Sequence, residues 1–508
     1  MMLLSQAAQA LNGRLVGPDV RFAAVSTDSR KIKAGDLFIA LRGEHFDGYE
    51  FVATALQSGA AAVLVNADSY RIEDRGARSE QEAESEAPHS ILNPQSSILV
   101  VEDTRLALGQ LAAYWRKQFD IPLVAITGSN GKTTVKEMLA GILRLAAGSD
   151  DAVLATRGNL NNDIGMPLTL LQLNAQHRYA VIEMGMNHPG EIDYLTHLAC
   201  PDVALVTNAS GAHLEGLGSV EAVALAKGEI FAGLQPHGTA VINADDGYAP
   251  LWRILAGTCA LLEFGLGSSI TNVSETEREA DVSGQWQPHE AGLRLDAQTP
   301  SGNFSADLQV PGAHNARNAL AATAAAIALK VPLEIIAAGL EKFGGVAGRL
   351  QRKAARHGAV LINDTYNANP ASMRAAIGVL AQAGGRRVMV MGDMGELGDD
   401  AAMLHAEIGT EARSAGIEKL LALGALSVNA VRAFGCGAEH FERIEDLQKA
   451  LEDELDVDTT VLVKGSRFMK MERVVQYLES GEWKVGGGKP APHSPLSTPH
   501  LPKEKKCC

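Results

Sequence analysis

The chain is short of several things, and each shortage excludes something. Only five cysteines occur in 508 residues, Cys200, Cys259, Cys436, Cys507 and Cys508. They are too sparse for a disulfide scaffold and show no metal-type spacing, so a reducing, cytoplasmic setting is expected. The Cys507-Cys508 pair reads as an exposed, reduced pair on a tail. No predominantly apolar run of about 18 residues is free of charge, so no membrane span is expected. The opening "MMLLSQAAQALNGR" has neither a basic region nor a long apolar stretch and does not read as a secretory signal. Basic residues are also scarce. Lys and Arg number 45 against 60 Asp and Glu, for a formal charge of -15. That argues against general nucleic-acid binding. It leaves room for anionic ligands held by backbone amides and a few cations.

What is present is a soluble globular composition, 46% apolar and 21% charged, with a length that suggests roughly three domains. Short Val/Ile/Leu runs alternate with alanine-rich helical stretches. "LVAIT", "YAVIEM", "DVALVTN" and "GTAVINA" follow residue 120, and "AVLIND", "RVMVMGD", "KLLALG" and "TVLVKG" follow residue 355. Continuous apolar runs of this length suit strands buried on both faces, and the alternation predicts α/β domains with parallel sheets. The stretch after 270 alternates apolar and polar residues between turn signals and predicts antiparallel strands. Residues 71–97 are polar and charged and read as a disordered insertion between two strands. Residues 485–508 read as a disordered tail. The predicted domains are 1–102, 103–330 and 331–484.

The most informative stretch is "VAITGSNGKTTVKEMLA", residues 124–140. A strand, a glycine turn and a helix N-terminus line up backbone N–H groups and the positive end of a dipole, a ready anion site. Gly128 and Gly131 allow close backbone approach, with Ser129 and Asn130 between them. Lys132 can reach the outer phosphates, and Thr133, followed by Thr134, can offer its hydroxyl to a phosphate-bound magnesium. The usual phosphate loop has a longer spacing between its glycines, so this is a shortened version. ATP with Mg2+ is the expected ligand. Three more groups fall where strands of the same sheet should end, or just beyond: Glu183 in "VIEMGMNHPGEI", His213 in "LVTNASGAHLEGLGS" and Lys227 in "VEAVALAKGEIF". A carboxylate and an imidazole beside an ATP loop suggest a second magnesium. Lys227 on its own reads most simply as a solvated helix residue.

In order, "TGSNGKTT", "GNLNNDIGMP", "EMGMNHPGEI", "TNASGAHLEG", "AKGEIF", "PGAHNARNALAA", "GRL" and "NDTYNANPASM" resemble the motifs of the Mur ligases, which build the peptide stem of peptidoglycan. "STDSRKIKAGDLFIALRGEHFDGYEF" resembles their UDP-binding domain. "NDTYNANP", "GDMGELG" and "VKGSRFMKME" resemble the family member that adds a dipeptide. The resemblance implies three α/β domains: an N-terminal UDP-binding domain, a central ATPase with a mainly parallel sheet, and a C-terminal Rossmann-like domain. It implies a monomer whose substrates are UDP-MurNAc-tripeptide and D-Ala-D-Ala, joined through an acyl phosphate.

The resemblance also assigns residues. Glu183 and His213 resemble ligands of the second magnesium, and Lys227 resembles a lysine that takes up CO2 as a carbamate. Asn318 resembles an adenine contact, Arg349 a phosphate contact and Asp364 a ribose contact. Ser29, Arg30 and His45 match positions near the uridine diphosphate, and Asn161 and Asn162 positions near the muramoyl or tripeptide part. Tyr366, Asn367, Asn369, Lys464, Ser466 and Arg467 are candidates for the dipeptide pocket, where a carboxylate needs a cation or N–H donors.

Overall fold

The computed structural model describes residues 1–43, 47–70, 96–211, 214–266, 280–289 and 292–480. His45, His213, nearly all of the 71–97 segment and the 485–508 tail with its cysteine pair lie outside the described residues. Among the described residues no helix is long and apolar enough to cross a membrane.

Three main sheets organise the described residues, in a mixed α/β architecture. In the first, the strands Val25–Ser26, Leu37–Ile39, Ala62–Asn66 and Ile98–Val101 run parallel, and Arg14–Val16 closes the edge antiparallel. The two apolar runs that flank the 71–97 segment thus pair directly, Val63 opposite Ile98.

The central sheet has nine strands. From one edge they run Val153–Ala155, Tyr179–Glu183, Leu123–Thr127, Val203–Val206, Thr239–Asn243 and Ala260–Gly265, all parallel. Val282–His289 joins in parallel, and Gly292–Thr299 and Gly302–Leu308 complete an antiparallel edge. The alternating pattern after residue 270 predicted this edge. All five residues of Leu123–Thr127 are buried, as expected for a strand covered on both faces. Val124 and Ile126 face a core with the helices Lys132–Ala147 and Ala313–Ala328. Leu123 and Ala125 face another with the helices Thr104–Arg116 and Glu191–Ala199.

The chain leaves Leu123–Thr127 and returns on one side of it at Val153–Ala155. It leaves the neighbouring Tyr179–Glu183 and returns on the other side at Val203–Val206. Open α/β sheets bind ligands at such a switch, outside the carboxyl ends of the strands. The third sheet has the order Gln351–Ala354, Val360–Asp364, Thr459–Lys464, Arg386–Gly392, Lys419–Leu423, Ala438–Phe441, with only the first strand antiparallel.

The cores divide unevenly. Leu37, Ile39, Leu64 and Leu99 of the first sheet belong to the same apolar cluster as Leu123 and Ala125 of the central one. The third sheet has its own cores, around Met389 and Leu462 on one face and Val390 and Val463 on the other.

Candidate active site

The loop after Leu123–Thr127 is shaped by its glycines. Gly128 has φ +147 and Gly131 φ +86. A Cβ at 128 would lie 1.8 Å from Thr207 Oγ1, and one at 131 would lie 2.5 Å from Asn318 Oδ1. Backbone angle and neighbours both demand glycine. The helix Lys132–Ala147 follows Gly131 with no side-chain cap, so its first N–H groups are left for an anion.

The loop is braced from the end of the adjacent strand. Ser129 N donates to Asn208 O at 2.9 Å and Asn130 N to Asn208 Oδ1 at 3.0 Å. Asn208 Nδ2 and Thr207 Oγ1 both donate to Asn130 O, at 2.9 and 2.6 Å. Asn130 Nδ2 donates to Ser210 Oγ at 3.0 Å. The loop is therefore shaped before any phosphate arrives.

Lys132 folds back over this loop, its Nζ donating to Gly128 O at 2.6 Å. Burial pushes its pKa down, the Glu183 carboxylate pushes it up, and the Arg349 charge pushes it down. Thr133 Oγ1 donates to Glu183 Oε2 at 2.9 Å and accepts from Arg349 Nη2 at 3.0 Å. The other Glu183 oxygen accepts from Asn161 Nδ2 at 2.8 Å. Glu183 is 2% exposed and sits at a strand end, as the sequence predicted. Lys227 is 1% exposed, not a solvated helix residue, because the helix Val220–Gly228 buries Val223, Ala224, Ala226 and Gly228 as well. Burial holds its pKa well below the ordinary lysine value, and the charge of Lys132 adds to that. Both effects disfavour the charged form of its amine.

The third region closes the opposite wall. Asn369 Nδ2 donates to Asn130 Oδ1 at 3.0 Å, and Glu215 N donates to Glu396 O at 3.4 Å. Arg349 lies over the Tyr366 ring, 4.2 Å from its centroid, while its buried Nε has no partner. Asp364 accepts from Leu350 N at 3.1 Å and from Lys464 Nζ at 2.6 Å. Lys464 also donates to Asn367 O at 2.9 Å, so its charge is already committed. Ser466 Oγ donates to Ala368 O at 3.1 Å, and Arg467 N donates to Asn367 Oδ1 at 3.3 Å. The Arg467 side chain is 65% exposed, with its Nη1 3.5 Å from Glu472 Oε1, and is less enclosed than Lys464.

Between these walls is a cleft of about 1510 Å³. Ser129, Asn130, Gly131, Lys132, Thr134, Asn161, Asn162, Glu183, Asn318, Arg349, Asp364, Tyr366, Asn367, Asn369, Lys464, Ser466 and Arg467 line it. Gly128, Thr133 and Lys227 are not among the lining residues. Ser29 and Arg30 are not among the lining residues; Asp28 holds Arg30 at 2.8 Å, and the Arg30 side chain is 86% exposed.

The sequence reading missed the Thr207, Asn208 and Ser210 brace. Its signal was the polar run "TNAS" at the end of a parallel strand next to the loop. It also missed His314, a cleft residue whose buried Nε2 has no partner. Burial first, then the charges of Arg317 and Lys464, push the His314 pKa down to about 4.

Comparison with known proteins agrees with this architecture. Residues 126–326 match the Mur ligase middle domain, 348–467 the Mur ligase glutamate ligase domain, and 21–116 the Mur ligase family catalytic domain. The chain is 42% identical over 479 residues to the UDP-N-acetylmuramoyl-tripeptide–D-alanyl-D-alanine ligase of Escherichia coli (strain K12), covering 94% of this chain and 98% of that protein. The Bacillus subtilis (strain 168) protein of the same name is 33% identical, covering 93% and 97%. Among solved structures, MurF from Acinetobacter baumannii superposes with a TM-score of 0.81 at 36% identity, covering 94% of this chain and 98% of that one. MurF ligase from Thermotoga maritima in complex with ADP gives 0.73 at 25% identity, covering 90% and 97%. With this coverage and identity, and with the loop, the brace and the facing wall in place, the chain belongs to the Mur ligase family.

Proposed function

We propose that this chain is an ATP-dependent, ADP-forming ligase that joins D-alanyl-D-alanine to UDP-N-acetylmuramoyl-tripeptide, giving the pentapeptide precursor of peptidoglycan. The observation that carries the site assignment is the contact between two regions at the loop itself, Arg349 Nη2 to Thr133 Oγ1 at 3.0 Å. Cations from both sides of one cleft converge where a triphosphate would lie.

The chemistry brings two anions together, the tripeptide carboxylate and the γ-phosphate. Their repulsion must be offset by positive groups already in position. Lys132, the helix N-terminus and Arg349 supply this. The carboxylate oxygen attacks the γ-phosphorus and ADP leaves. The dipeptide amine then attacks the acyl phosphate, a proton is lost from nitrogen, and phosphate leaves as the amide forms. Arg467 and Ser466 are assigned to the dipeptide carboxylate, and Ser29, Arg30 and His45 to the uridine diphosphate.

Thr133 and Glu183 fit magnesium. They present hard oxygens 2.9 Å apart, and this ion is typically held by one or two carboxylates together with phosphates. When bound, magnesium would neutralise phosphate charge, with His213 as a further ligand. Lys227, buried and with its charged form disfavoured by burial and by Lys132, is suited to add CO2: its nitrogen bonds to carbon, a proton leaves, and an anionic carbamate replaces a repelling cation. Asn318 and Asp364 are assigned to the adenosine. We place the reaction in the cytoplasm and the enzyme as a monomer, with domains at 1–102, 103–330 and 331–484.

The test is the mass of the nucleotide product after incubation with ATP, magnesium and both substrates. A gain of one dipeptide less one water is expected. An unchanged UDP-MurNAc-tripeptide under turnover of ATP would overturn the reading.

A further inference from the structure

His405 lies on the helix Ala401–Ser414, is not among the cleft-lining residues, and is fully buried. Its ring makes two hydrogen bonds that fix its tautomer. Nδ1 lies 2.6 Å from Ala401 O, and a carbonyl only accepts, so Nδ1 carries the proton. Nε2 is then bare, and it accepts from Met394 N at 2.9 Å. Burial favours this neutral form by lowering the pKa, against smaller upward pulls from Ala401 O and Asp393.

Met394 belongs to the turn 393–397, which is held at every position. Asp393 Oδ1 accepts from Ser427 N at 2.7 Å, and Asp393 O accepts from Ser466 N at 3.0 Å. Gly395 N donates to Ser466 Oγ at 2.8 Å. Met394 and Leu397 are buried. Between them Glu396, a non-glycine residue, is held at φ +62, a conformation that persists only where its surroundings over-determine it. Gly395 and Glu396 line the cleft, and Glu396 O receives Glu215 N from the central region.

We infer that His405 is a positioning residue: its bare Nε2 holds the 393–397 turn, which forms the acceptor-side wall of the cleft and latches the third region onto the central one. The inference rests on the ligase reading for its substrates but not for its geometry. Met394 N would otherwise be a buried donor without a partner, so the turn would relax and the strained Glu396 would release its carbonyl from Glu215.

The test compares His405→Leu with His405→Gln in the full chain. Leu removes the acceptor, while the Gln Oε1 can replace Nε2. In His405→Leu, kcat/KM for D-Ala-D-Ala should fall by about 10- to 100-fold, as for loss of an orienting partner behind a site, while KM for ATP stays within about twofold and His405→Gln recovers most of the loss. Backbone hydrogen exchange across 393–397 should quicken in His405→Leu and return in His405→Gln, with strand Lys419–Leu423 unchanged. Unaltered exchange in 393–397, or exchange raised equally in Lys419–Leu423, would overturn the inference. So would a failure of Gln to restore either readout. If wild-type enzyme does not use D-Ala-D-Ala, the function reading fails, and the exchange comparison still decides the latch.

Discussion

The first and third regions meet the central one in opposite ways. The first shares an apolar cluster with it: Leu64 and Leu99 pack in one body with Leu108, Leu111 and Leu123. The third meets it at the cleft through polar contacts, Arg349 to Thr133, Asn369 to Asn130 and Glu396 to Glu215. An apolar seam is lost only by exposing its area to water. Polar contacts exchange with water at a net cost of about 1 kcal/mol each. The third region is therefore the one expected to open and close, with the first as the fixed platform. On the proposed mechanism, closure would exclude water from the acyl phosphate.

Substitutions on the two seams should separate activity from stability. The largest effect is expected for Arg349→Ala, which removes the cation proposed to meet the phosphates. We expect kcat to fall by about 10²–10³-fold, with little change in melting temperature. A large loss of stability with normal turnover in the surviving enzyme would invert the comparison. Leu108→Ala, fully buried in the apolar seam, should do the opposite. A loss of about 2–5 kcal/mol of stability is expected by denaturant melts, with KM values unchanged in the folded fraction.

Acid should act at the cleft through His314. Its folded pKa is about 4 against an ordinary 6.5. Between these values the unfolded chain binds the proton and the folded chain does not, so its contribution is complete above pH 6.5 and is lost as pH falls toward 4. The loss should be roughly 1–3 kcal/mol, and His314→Asn should flatten that part of the stability–pH curve. The smallest effect is expected for Asn369→Ser. Asn369 caps the helix Pro370–Ala381 and also reaches Asn130. Serine keeps a cap and loses the bridge, so kcat should fall by about threefold to tenfold, the worth of one hydrogen bond. A drop in helix stability instead would mean the cap, not the bridge, is what the residue supplies.

What the sequence made legible follows from distance along the chain. The loop from Gly128 to Thr134 could be read because strand, glycines, lysine and helix are contiguous and each has one physical job. The buried strands could be read for the same reason. The brace from Asn208 could not, since it lies 78 positions from Asn130 and only the parallel pairing of Leu123–Thr127 with Val203–Val206 brings them together. The pattern around Lys227 suggests a solvated residue, because charge usually means exposure. The helix carrying it is buried widely enough to enclose even a lysine. Lys464 looked like a free cation for a carboxylate, but strand Thr459–Lys464 lies beside Val360–Asp364 and hands its charge to Asp364. The resemblance to a family located Asn318, Arg349 and Asp364, whose convergence no local pattern shows.

The most direct test of the account is phosphate release from ATP and magnesium, with each of UDP-MurNAc-tripeptide and D-Ala-D-Ala omitted in turn. A preformed phosphate loop under a wall that must close predicts sustained release only when both are present. Release at the same rate without either substrate would contradict the ligase mechanism and the role given to closure.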